Sequence, residues 1–244
     1  MNEETLTGDG IAALRSGWTF SGDVAKNFDP HVRKSVPLYE EGHKLVCQLT
    51  DYFVRPGSLV YELGCSTGEL TLKMAKFNAP SKPDARFVGL DIEPEMIRIA
   101  QEKKNAMGDL AQTEFVLHDI LSYEYESNDC MVAYYTVQFV PPRLRQALID
   151  LIFQRLNWGG AFIMFEKVRG SDARFQDILT GMYHDYKLQQ GYSQEEIAAK
   201  ARSLRGVLEP FSTEGNRSML QRAGFRDIDV VFRYICFQGF LCIK

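Results

Sequence analysis

The 244-residue sequence contains no run approaching the ~20 consecutive apolar residues that a membrane-spanning helix requires, so no membrane association is expected. Its opening, Met1 to Gly10, is acidic and polar and lacks the basic start and apolar run of a secretory signal. None of the five cysteines (Cys47, Cys65, Cys130, Cys236, Cys242) stands in a CxxC pair. That argues against a zinc site or a disulfide framework, and for a reducing, cytoplasmic compartment. Basic charge is also scarce: 28 Lys and Arg face 32 Asp and Glu, a formal net charge of −4. Proteins that mainly hold nucleic acid draw affinity from a basic excess, so no direct nucleic-acid partner is expected. Internal repeats, low-complexity tracts and Pro/Gly/Ser-rich linkers are missing as well. What remains is ordinary for a globular protein, with 45% hydrophobic and 25% charged residues and length enough to bury a large core.

Three zones differ in character. Residues 1–57 read as an N-terminal helical cover, with Pro30 and Pro37 breaking the pattern and Pro56-Gly57 closing it as a turn. Residues 58–244 read as one α/β domain with a helical insertion at about 169–210. Within it, Ser58–Leu63, Arg86–Leu90, Glu114–Leu117, Met131–Tyr135 and Ala161–Phe165 are strand candidates. Helical spacing runs from Glu69 to Phe77, from Pro94 to about Lys104, and from Pro141 to Leu156, the last closed by Asn157-Trp158-Gly159-Gly160 as a C-cap and turn. Alternating strands and helices call for a parallel sheet with right-handed crossovers. The final runs, Asp227–Phe232 and Phe237–Ile243, predict an antiparallel hairpin at the sheet edge.

Ligands in such sheets sit beyond the carboxyl ends of the strands. Four signals fall there: Glu62-Leu-Gly64-Cys65-Ser66-Thr67-Gly68, Asp91-Ile92, His118-Asp119-Ile120, and Tyr134 through Gln138. The glycine loop is neither the dinucleotide GxGxxG nor a phosphate loop ending in Lys-Ser/Thr. Asp91 follows Gly68 by 23 residues, near the ~20-residue offset at which a carboxylate meets ribose hydroxyls. It also fits an ordinary capping role ahead of Glu93-Pro94. Together the signals resemble the Rossmann-like class I S-adenosylmethionine-dependent methyltransferase fold, with a mostly parallel seven-stranded sheet. In that fold Gly64–Ser66 would accommodate the methionine end, Asp91 the ribose, Ile92 and Ile120 the adenine faces, and Asp119 its exocyclic amine.

Further segments resemble the carboxy-S-adenosylmethionine synthase family of bacterial tRNA wobble-uridine modification. They run collinearly from about residue 17 to the end. Among them are Gly17-Trp-Thr-Phe20, Arg33-Lys-Ser-Val-Pro-Leu-Tyr39, Leu63-Gly-Cys-Ser66, Glu166-Lys167, His184-Asp-Tyr-Lys187, Gly191-Tyr-Ser193 and Ala201-Arg-Ser203. The resemblance implies that S-adenosylmethionine and prephenate give carboxy-S-adenosylmethionine and phenylpyruvate. Prephenate's ring carboxyl departs as carbon dioxide, and a sulfonium ylide captures it. By the same resemblance the ligand residues are Tyr39, Gly64, Cys65, Ser66, Asp91, Ile92, Asp119, Ile120 and Arg202, with Tyr39 and Arg202 holding the new carboxylate. It further implies a homodimer joined through the 169–210 helices, with Arg202 serving either its own site or its neighbour's. An arginine beside a bare sulfonium is repelled, whereas a carboxylate on the transferred carbon reverses the sign. The plain alternative places Arg202 on a solvated basic face with Lys200 and Arg205.

Two departures stand out. The family's Asn-Phe-Thr-Leu-Gln-Phe is Tyr134-Tyr-Thr-Val-Gln-Phe139 here, putting a phenol where an amide should meet the methionine end, and its Lys-Arg-Ser is Ala201-Arg202-Ser203. Tyr134 keeps open a second function, methyl transfer from the same cofactor to a small molecule; a non-catalytic cofactor-binding scaffold is a third. Of the remaining residues, Arg15, Arg33, Lys34 and Lys200 could attract a dianionic substrate. Trp18, Phe20 and Phe28 could cover the site or meet a partner chain. His184 and Asp185 are adjacent on a helix and point apart, so they form no dyad. His118 reads as a loop residue, and Cys65 as a small space-filler despite its place near a helix start.

Overall fold

Central strands buried on both faces read as short, nearly continuous apolar runs, and this chain supplies them at regular intervals. The computed structural model describes residues 5–14, 16–20, 22–108 and 112–244; Arg15 lies outside the described residues. A two-residue ladder opens the chain, β1 (Thr5–Leu6) against β2 (Ala12–Ala13). Then come α1 (Asp23–Ser35), α2 (Tyr39–Phe53), β3 (Leu59–Leu63), α3 (Glu69–Asn78), β4 (Arg86–Asp91), α4 (Pro94–Ala106) and β5 (Thr113–Leu117). The second half runs β6 (Asn128–Tyr134), a 3₁₀ turn (Val137–Phe139), α5 (Pro142–Arg155), β7 (Leu156–Lys167), α6 (Ala173–Gln189), α7 (Gln194–Ser203), α8 (Thr213–Ala223), β8 (Asp227–Tyr234) and β9 (Phe237–Ile243).

The seven-stranded sheet has the order β5-β4-β3-β6-β7-β9-β8. Its first five strands are parallel, and β9 lies antiparallel between β7 and β8. The expected mixed sheet and C-terminal hairpin are both present. The chain starts at central β3, steps outward to β5, and returns to β6 on the other side. That reversal opens a crevice at the carboxyl ends of β3 and β6, where α/β sheets take ligands. Apolar side chains pack on both faces: Leu148, Ile149, Ile152 and Phe225 join one core, and Val46, Leu70, Met74 and Phe87 the other.

Two local expectations are corrected. Pro30 does not break α1 but sits inside it. Its ring costs the helix one backbone hydrogen bond. Flanking side chains anchor the helix across that point: Asp29 accepts from Thr67 Oγ1 at 2.6 Å and Lys103 Nζ at 2.5 Å, and His31 Nδ1 meets Asp9 Oδ2 at 2.8 Å. Asn157–Gly160 is not a helix cap and turn but the opening of β7, which begins directly after α5. Gly159 takes a positive φ of 78° and donates its N–H to Lys244 O at 2.7 Å, so pairing with the end of the chain overrides the turn signal. Among the described residues no helix is long and apolar enough to cross a membrane.

Candidate active site

At the carboxyl ends of β3, β4, β6 and β7 lies a cavity of about 680 Å³, a volume suited to a small-molecule site. Its cofactor side is built from three loops. After β3 the backbone turns sharply through Gly64 (φ 70°) and Ser66 (φ 49°), and α3 then begins behind Gly68. A Cβ at Gly64 would lie 2.5 Å from Thr136 Cγ2, so only glycine lets the loop pass so close to the segment after β6. Cys65 N–H donates to Leu90 O at 2.8 Å, tying this loop to β4. Burial pushes the Cys65 thiol well above its usual range, which leaves it a space-filler and not a nucleophile.

Asp91, the last residue of β4, accepts from Ser66 N–H at 2.8 Å through Oδ2 and from Glu93 N–H at 3.0 Å through Oδ1. It therefore plays the capping part and faces the cavity as well. Each carboxylate oxygen keeps a second lone-pair direction for a hydroxyl. Asp119 Oδ1 accepts from Leu121 N–H at 2.9 Å, fixing the loop after β5. Ile92 is exposed and Ile120 half-buried, and both border the same cavity. Gly64, Cys65, Ser66, Asp91, Ile92, Asp119 and Ile120 are thus brought together as the sequence predicted. The cradle fits a nucleoside: a close-approach glycine turn, a carboxylate at the end of the next strand, and two isoleucines bordering the same cavity.

Glu62, the acid that opens the glycine-loop signal, was given no role of its own from sequence; it is buried, borders the cavity and accepts a hydrogen bond from Thr71 Oγ1. Burial, with Asp91 and Glu69 nearby, raises its pKa to about 8 against the help of Thr71. Its place as the one acid of an otherwise apolar strand was the available signal.

Tyr39 and Tyr134 also border the cavity. Tyr134 Oη donates to Tyr39 O at 2.7 Å, and the two rings lie 5.2 Å apart with His43 packed against both. The phenol that replaces the family amide is therefore pinned toward α2. Room for it comes from Gly42, where a Cβ would fall on the Tyr134 hydroxyl. Tyr135, next along the chain, adopts φ 62°, an uncommon conformation for a bulky residue and one that clusters at functional sites.

Arg202 is not brought to this cavity. It lies in the last turn of α7 with an exposed side chain, outside the lining of its own chain's site. Residues two apart on a helix point ~200° apart, so Lys200 faces inward where Arg202 faces out. Within the single chain Arg202 and Arg205 are exposed, whereas Lys200 lines the cavity and does not share their solvated face. Arg33 and Lys34 are corrected as substrate attractors. Arg33 pairs with Glu40 and Glu69 at 2.6 Å, and Lys34 with Asp9 at 2.7 Å. Glu40, His43 and Glu69 bring possible metal-ligand atoms within 4.8 Å of one another, but Arg33 and Lys73 already occupy both carboxylates.

Phe20 and Phe28 close the cavity from the N-terminal side against Phe139, and Trp18 stacks on His31 at 5.8 Å. His184 lines the cavity while Asp185 is exposed, and His118 is an exposed loop residue at the cavity edge.

A family model described as a methyltransferase domain matches residues 60–160. The carboxy-S-adenosyl-L-methionine synthase of Campylobacter lari is 36% identical over 231 residues, 95% of this chain and 96% of that protein. The chain belongs to the carboxy-S-adenosyl-L-methionine synthase family. A second family member, from Sulfurimonas denitrificans, is 34% identical over 244 residues and 100% of both chains. The fold extends further. Human N-acetylserotonin methyltransferase, solved in complex with S-adenosylmethionine, superposes with a TM-score of 0.60 at 18% identity, over 92% of this chain and 56% of that one. The sheet is thus that of the methyltransferase fold, as the sequence led one to expect.

Proposed function

We propose that this protein is a carboxy-S-adenosylmethionine synthase, forming carboxy-S-adenosylmethionine and phenylpyruvate from S-adenosylmethionine and prephenate. The observation that carries the reading is one continuous cavity joining the cofactor cradle at Gly64–Ser66, Asp91 and Asp119 to a cationic end at Lys167, Lys187 and Lys200. Methyl transfer to an uncharged acceptor gives no role to amines lining the same cavity, whereas a carboxylated co-substrate does. When bound, S-adenosylmethionine would supply an activated methyl group. The protein's part is to hold the ribose at Asp91, to keep water out with Phe20, Phe28 and Phe139, and to fix the acceptor's orientation. The balance closes if prephenate loses carbon dioxide and its ring hydroxyl, and the hydroxide leaves as water with one methyl proton.

Family membership over the whole chain supports a place in tRNA wobble-uridine modification, and five free, buried cysteines suit a reducing cytoplasm. A homodimer is part of the proposal. Phe175, Ile178 and Met182 form an exposed apolar stripe on α6, with spacing that places them on one helix face. A second copy seated there is the route by which Arg202 could reach an active site, namely its neighbour's.

Mass spectrometry of the small-molecule product tests the reading. Incubation with S-adenosylmethionine and prephenate should give a species heavier than the cofactor by one carbon dioxide. Absence of that species, with the cofactor bound, would falsify it. The outward Arg202 favours a second reading, a small-molecule methyltransferase, which predicts S-adenosylhomocysteine formation and full activity in Arg202→Ala.

A further inference from the structure

We propose that Lys167, Lys187 and Lys200 form a carboxylate-binding subsite at the β7 end of the cavity, which takes the anionic groups of a small carboxylic-acid co-substrate. The inference rests on the reading above for the identity of that acid, and shares with it the lysine-lined end of the cavity. Lys167 ends β7, Lys187 lies on α6 and Lys200 on α7, and all three border the cavity opposite the cofactor loops. Three separate elements therefore converge their amino groups on one space.

No ion pair within the described residues engages those amines, although the Asp9 carboxylate, one imidazole away, favours charge on Lys200. Ion pairs among the described residues engage Lys34, Lys73, Lys82 and Lys103, and none engages Lys167, Lys187 or Lys200. The ammonium groups of Lys167 and Lys187 each lie 4.5 Å from the centre of the Tyr183 ring. One aromatic ring offers a fraction of a full negative charge and cannot balance two ammoniums. Lys200 Nζ sits over Trp18 and donates to His31 Nε2 at 2.9 Å. His31 in turn points Nδ1 at Asp9, so its neutral ring orients the amine without offsetting its charge. Glu196 borders the cavity too, held by the α7 capping box through Ser193 N–H at 2.9 Å, and forms no ion pair with these lysines.

The strain of this arrangement is visible in the lysines themselves. Burial, then the charge of Lys187, pulls Lys200 down to about 6; burial, then Lys167, pulls Lys187 down to about 8. Burying several like charges is costly unless something of opposite sign arrives. A carboxylate entering among them restores each ammonium and gains charge-assisted hydrogen bonds. Its other end would then point toward the cofactor loops, along the length of the cavity.

The test uses the full chain loaded with S-adenosylmethionine, and the variants Lys167→Met, Lys187→Met and the charge-keeping Lys187→Arg. Titration calorimetry with prephenate and with phenylpyruvate reads binding directly, and steady-state assays read KM against kcat. Each Met variant should weaken carboxylate binding about 10- to 100-fold, Lys187→Arg should recover most of it, and affinity for S-adenosylmethionine should stay within about 2-fold. Carboxylate affinity unchanged in both Met variants overturns the subsite. A loss confined to carboxy-S-adenosylmethionine, with co-substrate binding intact, also overturns it and assigns the lysines to the modified cofactor. Lysine-dependent carboxylate binding with no carboxylated product upholds the subsite and overturns the synthase reading; product formation with lysine-independent KM does the opposite. Variants with wild-type melting temperatures and weakened binding exclude misfolding as the cause.

Discussion

Single side chains decide the charge inside this cavity, and burial is what makes them consequential. Glu62 is the clearest case. Its carboxyl titrates near 4.5 in the unfolded chain and at about 8 in the folded one, chiefly because burial penalises the charged form. Between those values the native state holds a proton that the unfolded state has released. Folding stability therefore falls as pH rises from 4.5 toward 8, by up to about 1.4 kcal/mol per pH unit from this group. Glu62→Gln keeps an acceptor for Thr71 and removes the titration. Thermal melts of the ligand-free variant should show a flatter decline across that interval than the parent protein. His31 and His43 act on the acid side. Burial holds them near 4 and 3, so their contribution is present above pH 6.5 and is lost as pH falls through those values.

Helices and strands transmit such local choices to their neighbours. The contact of α2 with β6 depends on a matched pair: a large phenol at Tyr134 and a missing side chain at Gly42. Gly42→Ala should destabilise the protein by about 1–3 kcal/mol, the usual cost of overpacking. Tyr134→Phe removes the atom that collides, so the double variant should recover most of that loss. A double-mutant cycle from denaturant melts would show the coupling; additive effects would mean that α2 can simply shift away. Helix α1 is a similar case, since Asp29, His31 and Arg33 each bond a different element and hold it straight over the cofactor loop despite Pro30.

Taken as a molecule, the chain builds its site from segments far apart in sequence. The cover of α1 and β1–β2, the strand ends, and the α6–α7 insertion close around one space. Helix α6 is the anomaly, since none of its residues is buried although its outer face carries Phe175, Ile178 and Met182. Apolar stripes of this kind on a solvent face mark association surfaces. On the proposed homodimer, the parent chain should sediment as a dimer at micromolar concentration and Ile178→Glu as a monomer, with a cost to activity if Arg202 acts across the interface. A mixture of Arg202→Ala with a chain crippled at Asp91 would then regain part of the activity through one complete site per mixed dimer.

Much of this was legible from residue order. Strand runs, the Gly64–Gly68 turn and the acids at Asp91 and Asp119 are local patterns, because a parallel sheet needs continuous apolar strands and its ligand loops follow directly from strand ends. Pairing energy that arrives from distant chain was not legible. It made Asn157–Gly160 a strand against the C-terminus and kept Pro30 inside a helix. The choice between Arg202 and Lys200 belongs to the same class. Helical geometry says only that the two must face opposite ways, and the docking of α7 against Trp18 and His31 is what turned the lysine inward. Periodicity along the chain specifies which side chains share a face, whereas long-range packing alone selects which face meets the ligand.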